Sequence, residues 1–297
     1  MKQLFTYVII GIAALSITVS SCKKKDIDEN DDDTTIQTQQ VSDESLFLNE
    51  SENSLDEVNI AISGSTFGKT RTIAGATIVD SPLIKAVFIT YNGLSGDGKR
   101  MRVGEVKIQL VTGNNWGEAG AKVRVTYSNL RITNIQTSKS ITLNGFHLLT
   151  NVTGGRAFVD ASVMHTIRGE MQLFFDNAAS RNWQIARKRI VNYNNGNYDI
   201  TISGDTTISG YTNIAVWGTN RNGNDFYTQL AQPIIFNSIC LGKPVSGQKV
   251  HKKLAREITV TYGVDANGNV VIGTCPYGLK VNWINIRNVN KTVVISY

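Results

Sequence analysis

Catalysis needs titratable side chains that converge, and the histidines of this chain are scattered: His147, His165 and His251. His165 shares its parity with Ala157, Val159, Ala161, Val163, Ile167 and Met171. A strand there turns it into an apolar face, where a hydrogen-bonded core histidine is expected and a general base is the alternative. His147 follows Phe146, and His251 stands among Lys249, Lys252 and Lys253; neither has the spacing of a metal ligand. Glycoside hydrolysis takes two carboxylates across a cleft, and Asp160, Glu170 and Asp176 lie near one another in sequence. Surface or salt-bridge carboxylates are the simpler reading of all three. Asp265-Ala266-Asn267-Gly268-Asn269 resembles a calcium loop without its terminal bidentate glutamate, which leaves a hairpin turn. Arg221, in the middle of Asn220 to Asp225, argues against a cation there. The sequence holds no nucleophile elbow, zinc motif or phosphate loop. No catalytic residue, metal ligand or cofactor is assigned.

Binding chemistry is better represented. Trp183, Ile185, Arg187, Arg189, Val191 and Tyr193 share one parity, setting two arginines among aromatics. Such a face can stack on sugar rings and pair with carboxylate or phosphate groups. The alternative is a cross-strand packing ladder with the arginines paired to neighbours such as Asp176. Trp217 and Arg221, in Trp217-Gly218-Thr219-Asn220-Arg221, complete the candidate ligand-binding set of Trp183, Arg187, Arg189, Tyr193, Trp217 and Arg221.

The elements that must position these groups read as strands. Val106, Ile108 and Leu110 alternate with Glu105, Lys107 and Gln109; Val123, Val125 and Tyr127 alternate with Lys122, Arg124 and Thr126. Ile258, Val260 and Tyr262 repeat the pattern, which is that of a half-buried strand. Asn-Gly pairs at 92, 144, 195, 222 and 267, with Asp97-Gly98, mark turns that accept positive φ. No crossover helices intervene, so the fold class is all-β: an antiparallel, β-sandwich-like body. Residues 58–150 and 151–297 form two β regions divided at Asn151 to Gly155, or one continuous sandwich.

The N-terminus has a different character. Lys2, an apolar run from Val8 to Val19, then Ser20 and Ser21 before Cys22 read as a signal peptide over residues 1–21. The run is too short to span a bilayer as a mature helix. Val19-Ser20-Ser21-Cys22 resembles a lipobox, with Val19 in place of the usual leucine. Cys22 is then the lipidated anchor, since acyl chains contribute about 0.8 kcal/mol per buried CH₂. Export into an oxidising compartment leaves Cys240 and Cys275 to form a disulfide, with two separate buried thiols as the alternative. Residues 22–57, with three lysines and then twelve acidic residues, read as a disordered tether. Residues 58–297 carry 26 Lys and Arg against 12 Asp and Glu. The overall net charge of +6 thus averages an acidic leash and a strongly basic body, which attracts polyanions or is a solvated surface touched by its own tether.

The lipobox, the Lys-then-acid segment, Asn151-Val152-Thr153-Gly154-Gly155, Trp217 to Arg221, Pro244-Val245-Ser246-Gly247 and Cys275-Pro276-Tyr277-Gly278 together resemble lipoproteins of Bacteroidota whose function is unassigned. The resemblance implies an outer-membrane address, at the cell surface rather than the periplasmic face. It implies no activity. The first functional expectation is a noncatalytic binding or adhesion module, attached to the membrane by its lipid and taking acidic polysaccharide or lipopolysaccharide. The second is a structural or assembly component gripping an envelope protein partner; a glycoside hydrolase-like enzyme is the third. Nucleic acid is not an expected partner.

Overall fold

The computed structural model describes residues 29–62, 72–176, 180–254 and 256–297. The expected signal peptide and the anchor Cys22 lie outside the described residues. The chain is predominantly strand, as its period-two patterns predict. The strands run β1 (Ala76–Ser81), β2 (Ala86–Leu94), β3 (Arg100–Thr112), β4 (Lys122–Asn134) and β5 (Ser140–Asn151). There follow β6 (Ser162–Phe175), β7 (Arg181–Asn194), β8 (Asn197–Gly204), β9 (Thr206–Ile208) and β10 (Tyr211–Thr219). The last five are β11 (Asp225–Asn237), β12 (Lys243–Lys252), β13 (Ile258–Val264), β14 (Gly278–Ile284) and β15 (Asn290–Ser296).

All fifteen belong to one antiparallel sheet, and β1 to β7 and β11 to β15 each pair with the next strand in sequence. Between β7 and β11 the sheet holds two strands: β8 pairs with both, and β10 pairs with both, while β9 adds to β10. Pairing continues past Asn151, because β5 and β6 are in register from Ile141↔Phe175 to Asn151↔His165.

Register divides the sheet into two chemically distinct faces, because successive side chains point to opposite sides. One row crosses the sheet through Val125, His147, Gly169, Ile185, Val216, Thr228, His251, Ile258 and Trp283. Apart from Gly169, every member of this inner row is buried. Displaced by one residue, an outer row runs Lys107, Thr126, Phe146, Glu170, Gln184, Trp217, Tyr227 and Lys252, all half-buried or exposed.

Residues 22–28 of the expected disordered tether lie outside the described residues, and from residue 29 it is instead part of a 34-residue helix, α1 (Glu29–Ile62), about 51 Å long at 1.5 Å per residue. It packs on the inner face with Val41, Phe47, Leu48, Leu55, Val58 and Ala61 buried in the common core. Two features overturn the reading from composition. Val41, Leu48, Leu55 and Ile62 recur every seven residues, a helical stripe diluted by the acids around it. The acids themselves meet cations on the sheet, so their charge does not keep the segment in water.

The six dipeptides expected to turn the chain do not all do so. Asn195-Gly196 joins β7 to β8 with φ of 47° and 87°, the double positive of a type I′ hairpin. Asn92-Gly93 and Asn144-Gly145 lie inside β2 and β5. At Gly145 a Cβ would come within 2.2 Å of the Glu170 carbonyl oxygen, so the glycine permits close strand approach rather than reversal. Asp265 heads a hairpin turn, its Oδ1 accepting from the Asn267 and Asn269 amides. Cys240 and Cys275 are joined as a disulfide with their Cα atoms 5.3 Å apart.

Candidate functional site: a basic inner face holding an acidic helix

Arg187 and Arg189 project from the inner face of β7 and are almost fully buried. Between them stands Glu52 of α1: Arg187 donates to its Oε1 at 3.0 Å, and Arg189 Nε donates to its Oε2 at 2.9 Å. Arg189 also reaches Asp56. One helical turn earlier, Phe47 lies edge-on to Trp183 with ring centroids 5.4 Å apart, and the Arg187 guanidinium stands 5.4 Å from the Phe47 centroid. Trp183 also packs on Phe175 and Phe226, and its indole N–H donates to the Thr219 carbonyl at 2.8 Å.

The pattern repeats along α1. Arg221 forks onto Asp43 with bonds of 2.6 and 2.8 Å and lies over the Phe175 ring. Glu44 meets Lys249 at 3.4 Å and His251 at 3.0 Å. Glu50 pairs with Arg100 at 2.9 Å, while Glu57 pairs with Arg102 and accepts from the Tyr91 hydroxyl at 2.7 Å. Six acids of one helix are thus matched by six cations of the sheet. Near the helix C-terminus, Trp116 donates to Asn59 at 3.2 Å.

Burial sets the protonation of these groups. Burial raises Glu44, but Lys249 and His251 outweigh it and hold the carboxyl below its ordinary value. For Lys249, burial opposes the charge and the Glu44 carboxylate overcomes it, keeping the amine above the usual lysine range. Burial pushes Asp43 and Glu50 up despite their arginines. Asp56 rises to about 7, because burial and the nearby Glu52 and Glu57 outweigh Arg189. Burial lowers His147 and His165 to about 3, aided by Arg187 and Arg189 respectively, and lowers His251 to about 4.

Of the six candidate ligand-binding residues, Trp183, Arg187, Arg189 and Arg221 are brought together here. They serve the chain's own helix: Trp183, Arg187 and Arg189 are buried and Arg221, half-buried, is engaged by Asp43, which corrects the expectation of an open aromatic-arginine face. The partners are α1 acids rather than Asp176, which is 3.8 Å from Arg221 and accepts from the Ser140 amide. Tyr193 lies apart, at the far end of β7, and Trp217 is on the outer face. A cleft of about 220 Å³ flanks α1, but its charges are already paired: Glu50 and Asp97 with Arg100, Glu57 with Arg102, and Asp56 with Arg189.

The carboxylates considered for hydrolysis do not share a cleft among those described. Asp160 accepts from the Arg156 amide at 2.6 Å, Asp176 caps the start of β5, and Glu170 stands in the outer row. Among the described residues no three of His, Cys, Asp and Glu are grouped to hold a metal, and no helix is long and apolar enough to cross a membrane.

The outer row is the feature that composition missed. A groove of about 480 Å³ lies over Phe146, Glu170, Gln172, Asn182 and Gln184. Cations stand over the outer aromatics: Arg124 is 3.7 Å from the Phe146 centroid, Lys107 is 5.8 Å from Phe88, and Lys253 is 5.3 Å from Tyr227. Among the described residues Lys107, Lys122, Arg124 and Lys188 make no ion pair. Comparison with protein-family models, with curated proteins and with solved structures finds no match.

Proposed function

We propose that this protein is a noncatalytic binding module of the cell envelope, anchored through lipid on Cys22, whose outer sheet face takes an acidic polysaccharide. The observation that carries this reading is the cation-capped aromatic row. Inner cations are neutralised by α1, whereas Lys107, Lys122, Arg124 and Lys188 of the outer face make no ion pair among the described residues. There Trp217 supplies flat apolar surface, Gln184 and Glu170 supply hydroxyl partners, and Lys107 and Arg124, the latter stacked on Phe146, supply charge. The row crosses eight strands at about 4.8 Å each, a span of about 34 Å between its outermost strands, which suits a linear polymer.

The test uses heparin as the acidic probe and the mature chain. Lys107→Gln with Arg124→Gln should weaken binding about five- to thirtyfold, on the order of 0.5–1 kcal/mol per exposed cation. Binding by the unaltered chain should fall steeply between 0.1 and 1 M salt, as the Debye length shrinks from about 10 to about 3 Å. Full heparin affinity in the double variant would refute the outer-face site.

The assembly reading keeps one observation in its favour. Strands β1 and β15 end the sheet with one partner each, so each leaves an edge able to add a strand of a partner protein.

A further inference from the structure

The β7–β8 hairpin is dense in amides. Its type I′ turn sets Asn194 opposite Asn197, Tyr193 opposite Tyr198, and Asn192 opposite Asp199. The end of β11 adds a third strand, with Asn237 in register with Asp199. Asn237 Nδ2 donates to Asp199 Oδ1 at 2.6 Å, and Asn237 Oδ1 accepts from the Ile239 amide at 2.7 Å, so both groups are fixed in orientation. The turn that follows is held by the Cys240–Cys275 disulfide. Together these walls enclose an open cleft of about 350 Å³.

The polar capacity of this cleft exceeds what the protein uses. Asn192 accepts from the Ser162 hydroxyl at 2.9 Å, which leaves its amide N–H groups for another acceptor. Among the described residues the Asn194 and Asn197 side chains make no hydrogen bond, and Asp199 uses one carboxylate oxygen. Ile239, 69% exposed, gives the rim an apolar surface. No lysine or arginine lines the cleft, and its only charge is that of Asp199.

We infer that this cleft is a binding site for a neutral saccharide. A sugar hydroxyl both donates and accepts, which matches an amide that does the same and a carboxylate held by one neighbour. The C–H face of a pyranose matches Ile239, as ligand sites combine apolar walls with a few fixed polar groups. Asp199, with no cation beside it, repels the acidic polymers that the outer row attracts. Gln184 of that row and Asn192 of the cleft are eight residues apart on β7, about 26 Å, so the two sites are separate.

Affinity electrophoresis of the mature chain through gels containing starch, mannan, mixed-linkage β-glucan or xylan tests the site. Retardation is expected in at least one gel, and Asn194→Ala with Asn197→Ala should reduce it at least fivefold. Both positions are exposed, so melting temperature and heparin affinity should be unchanged in that variant. Asp199→Asn provides a second variant, expected to weaken retardation in the same gel. Unaltered mobility in all four gels, or retardation that persists in both variants, would overturn the proposal. Heparin binding is read separately and bears only on the outer row.

Discussion

Glu52 shows what the interior of this molecule demands of a single residue. Its two oxygens accept from two buried arginines of one strand, at 3.0 and 2.9 Å. Removing one side of a buried charge cluster costs more than the cluster contributes, since the remaining charges stay desolvated. Glu52→Ala should therefore destabilise the fold by about 3–5 kcal/mol, read as a lowered midpoint in urea unfolding. A loss below about 1 kcal/mol would mean that Arg187 and Arg189 reach water or another acid. Gly145 makes the opposite kind of demand, for absence. Its φ of 125° and the Glu170 carbonyl 2.2 Å from any Cβ mean that Gly145→Ala strains the backbone and pushes β5 from β6. A destabilisation of about 1–3 kcal/mol is expected by the same measurement. An unchanged unfolding midpoint would mean the two strands separate at little cost.

At the scale of elements, the strands were legible and the helix was not. The alternation around Val106, Val123 and Ile258 reports local geometry, because every second residue meets the same face, and each of these runs is a strand. Turn chemistry was legible where the chain truly reverses, as at Asn195-Gly196, and misleading where a glycine allows close strand approach. Helix α1 escaped because its stabilisation is nonlocal. Asp43, Glu44, Glu50, Glu52, Asp56 and Glu57 look like solvated charge until residues up to 205 positions away supply their partners. The arginine-aromatic face is legible in the sequence, but its partner is neither an external ligand nor a neighbouring strand: it lies upstream in the same chain, in α1. Phe47, wedged between Trp183 and the Arg187 guanidinium, was the residue to notice within the acidic stretch.

At the scale of the whole molecule, the partition of charge predicts a weakness in acid. Three histidines are buried beside the cationic inner wall, and burial lowers their pKa values to about 3, 3 and 4 from 6.5. Unfolding exposes them to their ordinary value, so below about pH 6.5 the unfolded chain takes up protons that the folded chain refuses. Their stabilising contribution is therefore full above pH 6.5 and is lost as pH falls toward 3. Asp56 acts in the other direction, since its folded pKa of about 7 lies above its unfolded value and its contribution grows as pH falls from 7 toward 4. Between pH 6.5 and 5 three groups oppose one, a net uptake approaching two protons on unfolding. At 1.36 kcal/mol per proton per pH unit, stability should fall by at most about 2.7 kcal/mol per unit. Below pH 5 the raised Asp43 and Glu50 offset part of this loss, while the lowered Glu44 adds to it. Urea unfolding at pH 7, 6 and 5 should show the midpoint dropping progressively. His165→Gln, which removes one buried titrating ring, should flatten that dependence whatever its effect on stability at pH 7. A midpoint that is constant or rises from pH 6.5 to 5 would show that the buried histidines protonate in the folded state, and that the inner wall accommodates their charge.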